Sequence, residues 1–207
     1  MKKKKLYQNA LMCILISFIF SCRKDNHTHV SGTVLDATTN HPISGATVYL
    51  QQRDPNCISC FSPGSSGKAT SDANGKFVFD FTADPNYSYS VAAEANKYFN
   101  DYSTGGISIS SGQTNNSVVT LRPIAYLKVH AKNTTPYDAN DWISVNVILG
   151  GGVAFYGMIV DTTFTQWAYG NSANNLVWFV KKNGVQHNFS ANVACTSFDT
   201  TTYNINY

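Results

Sequence analysis

The 207-residue chain contains a single glutamate, Glu94. A zinc peptidase needs a glutamate as ligand or base beside histidines, and Glu94 has no histidine within ten residues. Paired-carboxylate hydrolysis is left to aspartates alone. Neither a G-x-S-x-G elbow nor a phosphate-binding G-x-x-x-x-G-K-[ST] loop occurs. Charged residues make up only 13% of the chain, while Asn, Thr, Ser, Tyr, Phe and Val are plentiful. Such a composition has little with which to cover helices and much with which to build strands and turns, so the expected fold class is all-β. The apolar stretch Leu11 to Phe20 is too short for a membrane-spanning helix of ~20 residues.

That stretch lies between Lys2 to Lys5 and Cys22. A basic cluster, a short apolar core and Ile19-Phe20-Ser21-Cys22 resemble a bacterial lipoprotein signal and its lipobox, with Phe20 bulkier than the usual residue. The resemblance implies cleavage before Cys22, a signal peptide over 1–21 and a lipidated tether over 22–29. Cys22 would carry a diacylglyceryl thioether and an amide-linked fatty acyl chain, which supply the two or more chains that stable anchoring needs. Four of the 15 basic residues leave with the signal, so 11 remain against 12 acidic ones. No basic stripe is left to bind nucleic acid. Arg23-Lys24-Asp25 resembles short charged signals that sort lipoproteins, and the expected place is the outer membrane, at its cell-surface or periplasmic face.

About 186 residues follow the signal, enough for one large or two small domains. Strand-like alternation begins at Val30-Ser31-Gly32-Thr33-Val34 and returns at Ala46 to Leu50, with Pro42 and Gly45 at the turn between. Asn74-Gly75 leads into Phe77, Phe79 and Phe81 at period two, which predicts a hairpin with the phenylalanines inward. Tyr87, Tyr89, Val91 and Ala93 continue the pattern, Thr104 to Gly112 reads as loop, and Val118 to Leu121 closes the unit. The spacings Val30-x-Gly32-x-Val34-x-Asp36, Pro42-Ile43-x-Gly45-Ala46-x-Val48-x-Leu50, Thr70-x-Asp72-x-x-Gly75-x-Phe77-x-Phe79 and Tyr89-x-Val91 resemble the carboxypeptidase regulatory-like domain family. The resemblance covers about 28 to 122 and implies a transthyretin-like (prealbumin-like) Greek-key β-sandwich of about seven strands. It implies an accessory module similar to other carbohydrate-binding-like sandwiches, without an active site of its own.

The first domain is expected over 30–123, and a second β-sandwich, of no recognised family, over 124–207. Ala125, Leu127, Val129 and Ala131 share one parity, as do Ile143, Val145, Val147 and Leu149, and again Phe189, Ala191, Val193 and Cys195. Gly150 to Gly152, Asn171 to Asn175 and Asn183-Gly184 mark its turns, Tyr203 to Tyr207 forms a last strand, and no internal repeat relates the halves.

No catalytic residue, cofactor or metal site is expected. Cys57 and Cys60, in a loop and in an oxidising compartment, are disulfide candidates, with a redox or zinc pair as the alternative. Cys195 reads as a buried thiol. His27-x-His29 reads as part of the solvated tether, with a metal pair as the alternative, and His130 and His187 as lying on exposed strand faces. Asp138-Ala139-Asn140-Asp141 gathers oxygens but lacks the glycine and glutamate of a calcium loop. Asp161-Thr162-Thr163 and Asp199-Thr200-Thr201 resemble short O-glycosylation signals. Trp178, flanked by apolar residues on both parities, reads as core. Trp167 and Tyr169 share a parity and are the ligand-binding candidates, as a platform for a sugar ring, with packing inside the sandwich as the alternative. The functional expectation is a non-catalytic envelope lipoprotein, a binding or assembly module at the outer membrane. The alternative is a carbohydrate-binding module using aromatics of the C-terminal half. Expected partners are the membrane, through the lipid anchor, and a glycan or an envelope protein.

Overall fold

Alternation governs the structure, a computed structural model that describes residues 26–56, 62–99, 106–147, 149 and 151–207. Among the described residues there is no helix, and the fourteen strands form four sheets. The first seven strands are β1 (His27–Asp36), β2 (Thr47–Arg53), β3 (Ser62–Thr70), β4 (Lys76–Thr82), β5 (Ser88–Glu94), β6 (Ile107–Ile109) and β7 (Thr114–Leu121). They make the sheets β4-β1-β7 and β3-β2-β5-β6. The inward parities pack into one core that includes Val30, Val34, Val48, Leu50, Phe77, Phe79, Tyr89, Val91, Val119 and Leu121. The phenylalanines of β4 point inward as their period requires, with Phe81 only partly buried at the margin.

The next seven strands are β8 (Ile124–Lys132), β9 (Trp142–Val147), β10 (Gly151–Tyr156), β11 (Asp161–Tyr169), β12 (Ser172–Lys182), β13 (Val185–Cys195) and β14 (Thr200–Asn206). Their sheets are β11-β8-β14 and β10-β9-β12-β13. A separate core gathers Ala125, Leu127, Val129, Ala131, Ile143, Val145, Val147, Leu176, Val180, Val193 and Ile205.

The two halves have one topology. In each, the first strand is central in a three-stranded sheet, antiparallel to the fourth strand and parallel to the seventh. In each, the third, second, fifth and sixth strands follow in that order in the facing sheet, antiparallel throughout. The expectation of no internal repeat is therefore corrected at the level of fold. The repeat lies in strand order and parity, which a scan for recurring residues does not see.

Four further expectations change. β1 starts at His27, so the last residues of the expected tether are strand; His29 pairs with Asp80 across the ladder to β4. Asn74-Gly75 does not close a hairpin, because β3 and β4 belong to different sheets. It turns a corner between them, with Asp72 Oδ1 accepting the N–H groups of Asn74 and Lys76, both at 2.8 Å, and Gly75 at φ 72°. The stretch expected as loop before Gly112 contains β6, paired with β5. Most of Asn171 to Asn175 lies in β12 rather than in a turn. Asn174 is buried there, its side chain accepting from Tyr169 N and donating to Tyr169 O. Asn183-Gly184 does close a hairpin, at φ 48° and 73°, between the paired residues Lys182 and Val185.

The halves meet where β7 runs into β8 through Arg122 and Pro123. Phe99 N donates to Arg122 O and Ile124 N to Lys97 O, both at 2.9 Å. Phe198 N donates to Ile124 O at 2.7 Å, and Asn171 Nδ2 to Thr38 Oγ1 at 3.1 Å. Asp36 organises this end of the first sandwich: Oδ1 accepts from Thr38 N, Thr38 Oγ1 and Thr39 N, and Oδ2 from the Tyr98 hydroxyl. Burial pushes the Asp36 carboxyl up, but these four donors outweigh it and hold the group below the ordinary carboxylate value. Burial and the Asp36 charge push the Tyr98 phenol up to about 12. The Tyr98 ring then meets Phe198 of the second unit edge-on, 5.3 Å between centroids.

Candidate functional site

On the outer face of β11-β8-β14, Trp167 and Tyr169 share a parity and lie at the end nearest the first sandwich. Trp167 is 56% exposed, beside its cross-strand neighbour Tyr126, itself 37% exposed. Tyr169 is half-buried. The Arg122 guanidinium sits 5.1 Å from its ring centre, and Phe99 meets its edge at 5.3 Å and that of Trp167 at 6.2 Å. Of the expected pair, Trp167 presents an open ring, whereas Tyr169 is engaged in joining the two halves.

Histidine and aspartate meet twice, both times on exposed strands. His29 Nδ1 lies 2.7 Å from Asp80 Oδ1, with His27 Nε2 at 3.8 Å from the same oxygen. His130 Nε2 lies 2.6 Å from Asp161 Oδ1, while Lys132 Nζ holds Oδ2 at 2.7 Å. The hydrogen bonds from His130 and then Lys132 lower the Asp161 carboxyl below its ordinary value. Asp161 is thus already neutralised by its neighbours. The lone glutamate accepts a hydrogen bond from the Tyr49 hydroxyl.

The loop 138–141 has a structural use. Asp141 is fully buried, and its oxygens face the N–H groups of Tyr137 and Asp138 and the Asn133 amide. Donors aimed at both oxygens are the wrong sign for calcium coordination. Cys195 is buried and free, as expected of an inward strand position. Cys22, Cys57 and Cys60 lie outside the described residues.

Two clefts escaped the sequence reading. At the open side of the second sandwich, Trp178 and Phe189 stack at 5.6 Å and Tyr203 tilts against Trp178 at 6.0 Å. His187, Lys182 and Tyr207 complete a cleft of about 310 Å³. Trp178 packs against the core as expected, but only half-buried, with its outer edge forming a cleft wall. Phe189 is 45% exposed although it shares the parity of buried Val193 and Cys195, because this end of β13, an edge strand, runs past the core. The second cleft, of about 400 Å³, lies on the outer face of β10-β9-β12-β13, between Trp142, Tyr156, Lys181, Gln186 and the loop residues Ala139 and Asn140.

Residues 29–122, which hold the parallel β1–β7 pair, the corner at Asp72-x-x-Gly75 and the inward Phe77 and Phe79, match a known family. Those residues are a carboxypeptidase regulatory-like domain. The second sandwich repeats the strand order of this regulatory-like domain without being matched by the family. No curated protein matches the chain. Among solved structures, the chain is similar to the Bacillus anthracis TIE protein, at 10% identity and TM-score 0.36, over 87% of this chain and 34% of that one. It is also similar to the streptococcal ancillary pilin, at 14% and 0.36, over 87% and 62%. For GBS52, the minor pilin of Streptococcus agalactiae, the figures are 11% and 0.36, over 86% and 94%. The chain thus spans about a third of the first of these proteins and under two thirds of the second.

Proposed function

We propose that this chain is a non-catalytic lipoprotein of the cell envelope, a binding or assembly module anchored through Cys22 at the outer membrane. The observation that carries the reading is the placement of exposed aromatic rings. Tyr156 is 72% exposed, Tyr137 57%, Trp167 56% and Phe189 45%, and all four belong to the second sandwich. A ring left in water forgoes the stabilisation of burial, and two of these rings stand beside a second aromatic, Tyr156 by Trp142 on one outer face and Trp167 by Tyr126 on the other, as separate places for contact. The aspartates with lowered pKa support the non-catalytic part: Asp36 and Asp141 hold loops, and Asp161 is closed by His130 and Lys132.

The anchor is tested by Cys22→Ala, which is expected to abolish fatty-acid labelling and release the protein from membranes. A variant that still labels and sediments with the envelope refutes the lipoprotein reading. The alternative, carbohydrate binding by exposed aromatics, is favoured at Trp167 by its open ring. Trp167→Ala should remove glycan retention there and lower stability by only about 1 kcal/mol, the worth of its edge contact with Phe99. A loss of ~3 to 5 kcal/mol in thermal denaturation would instead make Trp167 a core residue.

A further inference from the structure

The outer face of β10-β9-β12-β13 carries one row of side chains across all four strands. Tyr156 pairs with Trp142, Trp142 with Lys181, and Lys181 with Gln186. Inward neighbours Ile143, Val145 and Val147 are buried, so the parity of Trp142 faces out. With strands ~4.8 Å apart the row is ~14 Å long, about the length of a short oligosaccharide. The Trp142 and Tyr156 rings lie 6.4 Å apart and tilted by 43°, so they offer two adjacent faces instead of stacking on each other. One step along the same face, Phe179 sits between Ser144 and Asn188, and Gln186 Nε2 donates to Asn188 Oδ1 at 3.2 Å.

The charge on this face is uncompensated. On the other outer face His130 and Lys132 are matched by Asp161, whereas among the described residues no carboxylate lies within ion-pair distance of Lys181. Of the acids in the adjoining loop, Asp138 Oδ1 accepts from Asn140 N and Asp141 is buried among its donors, and neither forms an ion pair with Lys181.

We propose that this cleft binds an anionic glycan. Resting on the reading of the chain as a binding module, the assignment gives it a site and a ligand class. Trp142 and Tyr156 stack on sugar faces, the Gln186 and Asn140 amides meet hydroxyls, and Lys181 pairs with a carboxylate or sulfate on the sugar. Apolar rings bind the carbon face of any sugar; the lysine selects the charged one.

Affinity electrophoresis of the full chain in mild detergent, in gels holding polygalacturonate, dextran sulfate or plain dextran, tests this. Retention is expected in at least one acidic polymer and not in dextran, and which of the two retains the protein tells carboxylate from sulfate. Trp142→Ala and Tyr156→Ala should each weaken retention tenfold or more. Lys181→Gln should remove the preference for acidic over neutral polymer, and Lys76→Gln, an exposed lysine of the first sandwich, should leave retention unchanged. Tyr156 and Lys181 are exposed, so their variants keep the fold if Trp142→Ala does not. Equal retention in dextran, no retention in either acidic polymer, or retention indifferent to Tyr156→Ala and Lys181→Gln overturns the assignment. Such a failure with envelope attachment through Cys22 intact leaves the binding-module reading standing, whereas a Cys22→Ala protein still held in the envelope refutes the anchor and not this site.

Discussion

Gly32→Ala is expected to destabilise the first sandwich by about 3 kcal/mol, near the upper end for an overpacked core. Gly32 lies mid-strand in β1 at an inward position, with the Phe77 ring lying across it. A Cβ there would overlap the Ser117 carbonyl oxygen of β7 and the Phe77 ring, whose Cε1 is 2.7 Å away. Neither can retreat, since Ser117 is held in the β1–β7 ladder and Phe77 fills the core. Gly67→Ala is the control, because its Cβ would meet Phe79 Cε1 at an ordinary 3.6 Å. Both changes stiffen the unfolded chain alike, so their difference isolates the clash. The three tryptophans, Trp142, Trp167 and Trp178, are all in the second unit. Circular dichroism should therefore show the Gly32→Ala loss more strongly than tryptophan fluorescence does. Equal thermal midpoints for the two variants would refute the account.

Parity was legible wherever one face of a strand meets a core. Ala125, Leu127, Val129 and Ala131 are each 0% exposed, and the side-chain period of two is enough to say so. Sheet membership was not legible. Asn74-Gly75 and Asn183-Gly184 are the same dipeptide between strands, yet the first turns a corner between sheets and the second closes a hairpin. The difference is set by what the flanking strands pair with: β4 joins β1 while β3 joins β2, a choice made by contacts remote in sequence. The same remoteness hides the parallel pairs β1–β7 and β8–β14, and with them the repeated topology. The two sandwiches share a pattern that many residue sets satisfy, so their likeness survives in fold without a visible repeat in sequence.

The candidate site was legible in part for a similar reason. Trp167 and Tyr169 share one face, as their parity requires, but period-two reasoning cannot tell that Phe99 and Arg122, from the junction, both engage Tyr169 while Trp167 meets Phe99 alone. Trp142 begins a strand whose alternation, Ile143, Val145, Val147 inward, already puts it outside. Its partners Tyr156, Lys181 and Gln186 come from three other strands, and only the registers of β9 with β10 and β12, and of β12 with β13, bring them into one row.

Acid should weaken the second sandwich through Asp141. Burial by itself raises this carboxyl, but the hydrogen bonds from Tyr137, Asn133 and Asp138 and the charge of Lys182 outweigh it and hold the group below its ordinary 3.8. A depressed folded-state pKa binds fewer protons than the unfolded chain does. Its stabilisation is fully present above the ordinary carboxylate value and is lost as pH falls through the depressed one. Asp36, lowered by Thr38, Thr39 and Tyr98, adds a loss of the same sign at the junction. Asp141→Ala should cost about 3 kcal/mol at neutral pH, because it strands buried donors beside a lysine. Lys182 Nζ would keep its bonds to Asn133 Oδ1, Thr135 O and Thr135 Oγ1, so the loop should loosen about Tyr137 and Asp138 first. Denaturant unfolding followed by tryptophan fluorescence from pH 7 downward checks the linkage. The gap between the natural protein and Asp141→Ala should be widest at neutral pH and narrow in strong acid, where protonation has already removed the Asp141 charge; a gap constant with pH would show that its charge does not hold the fold.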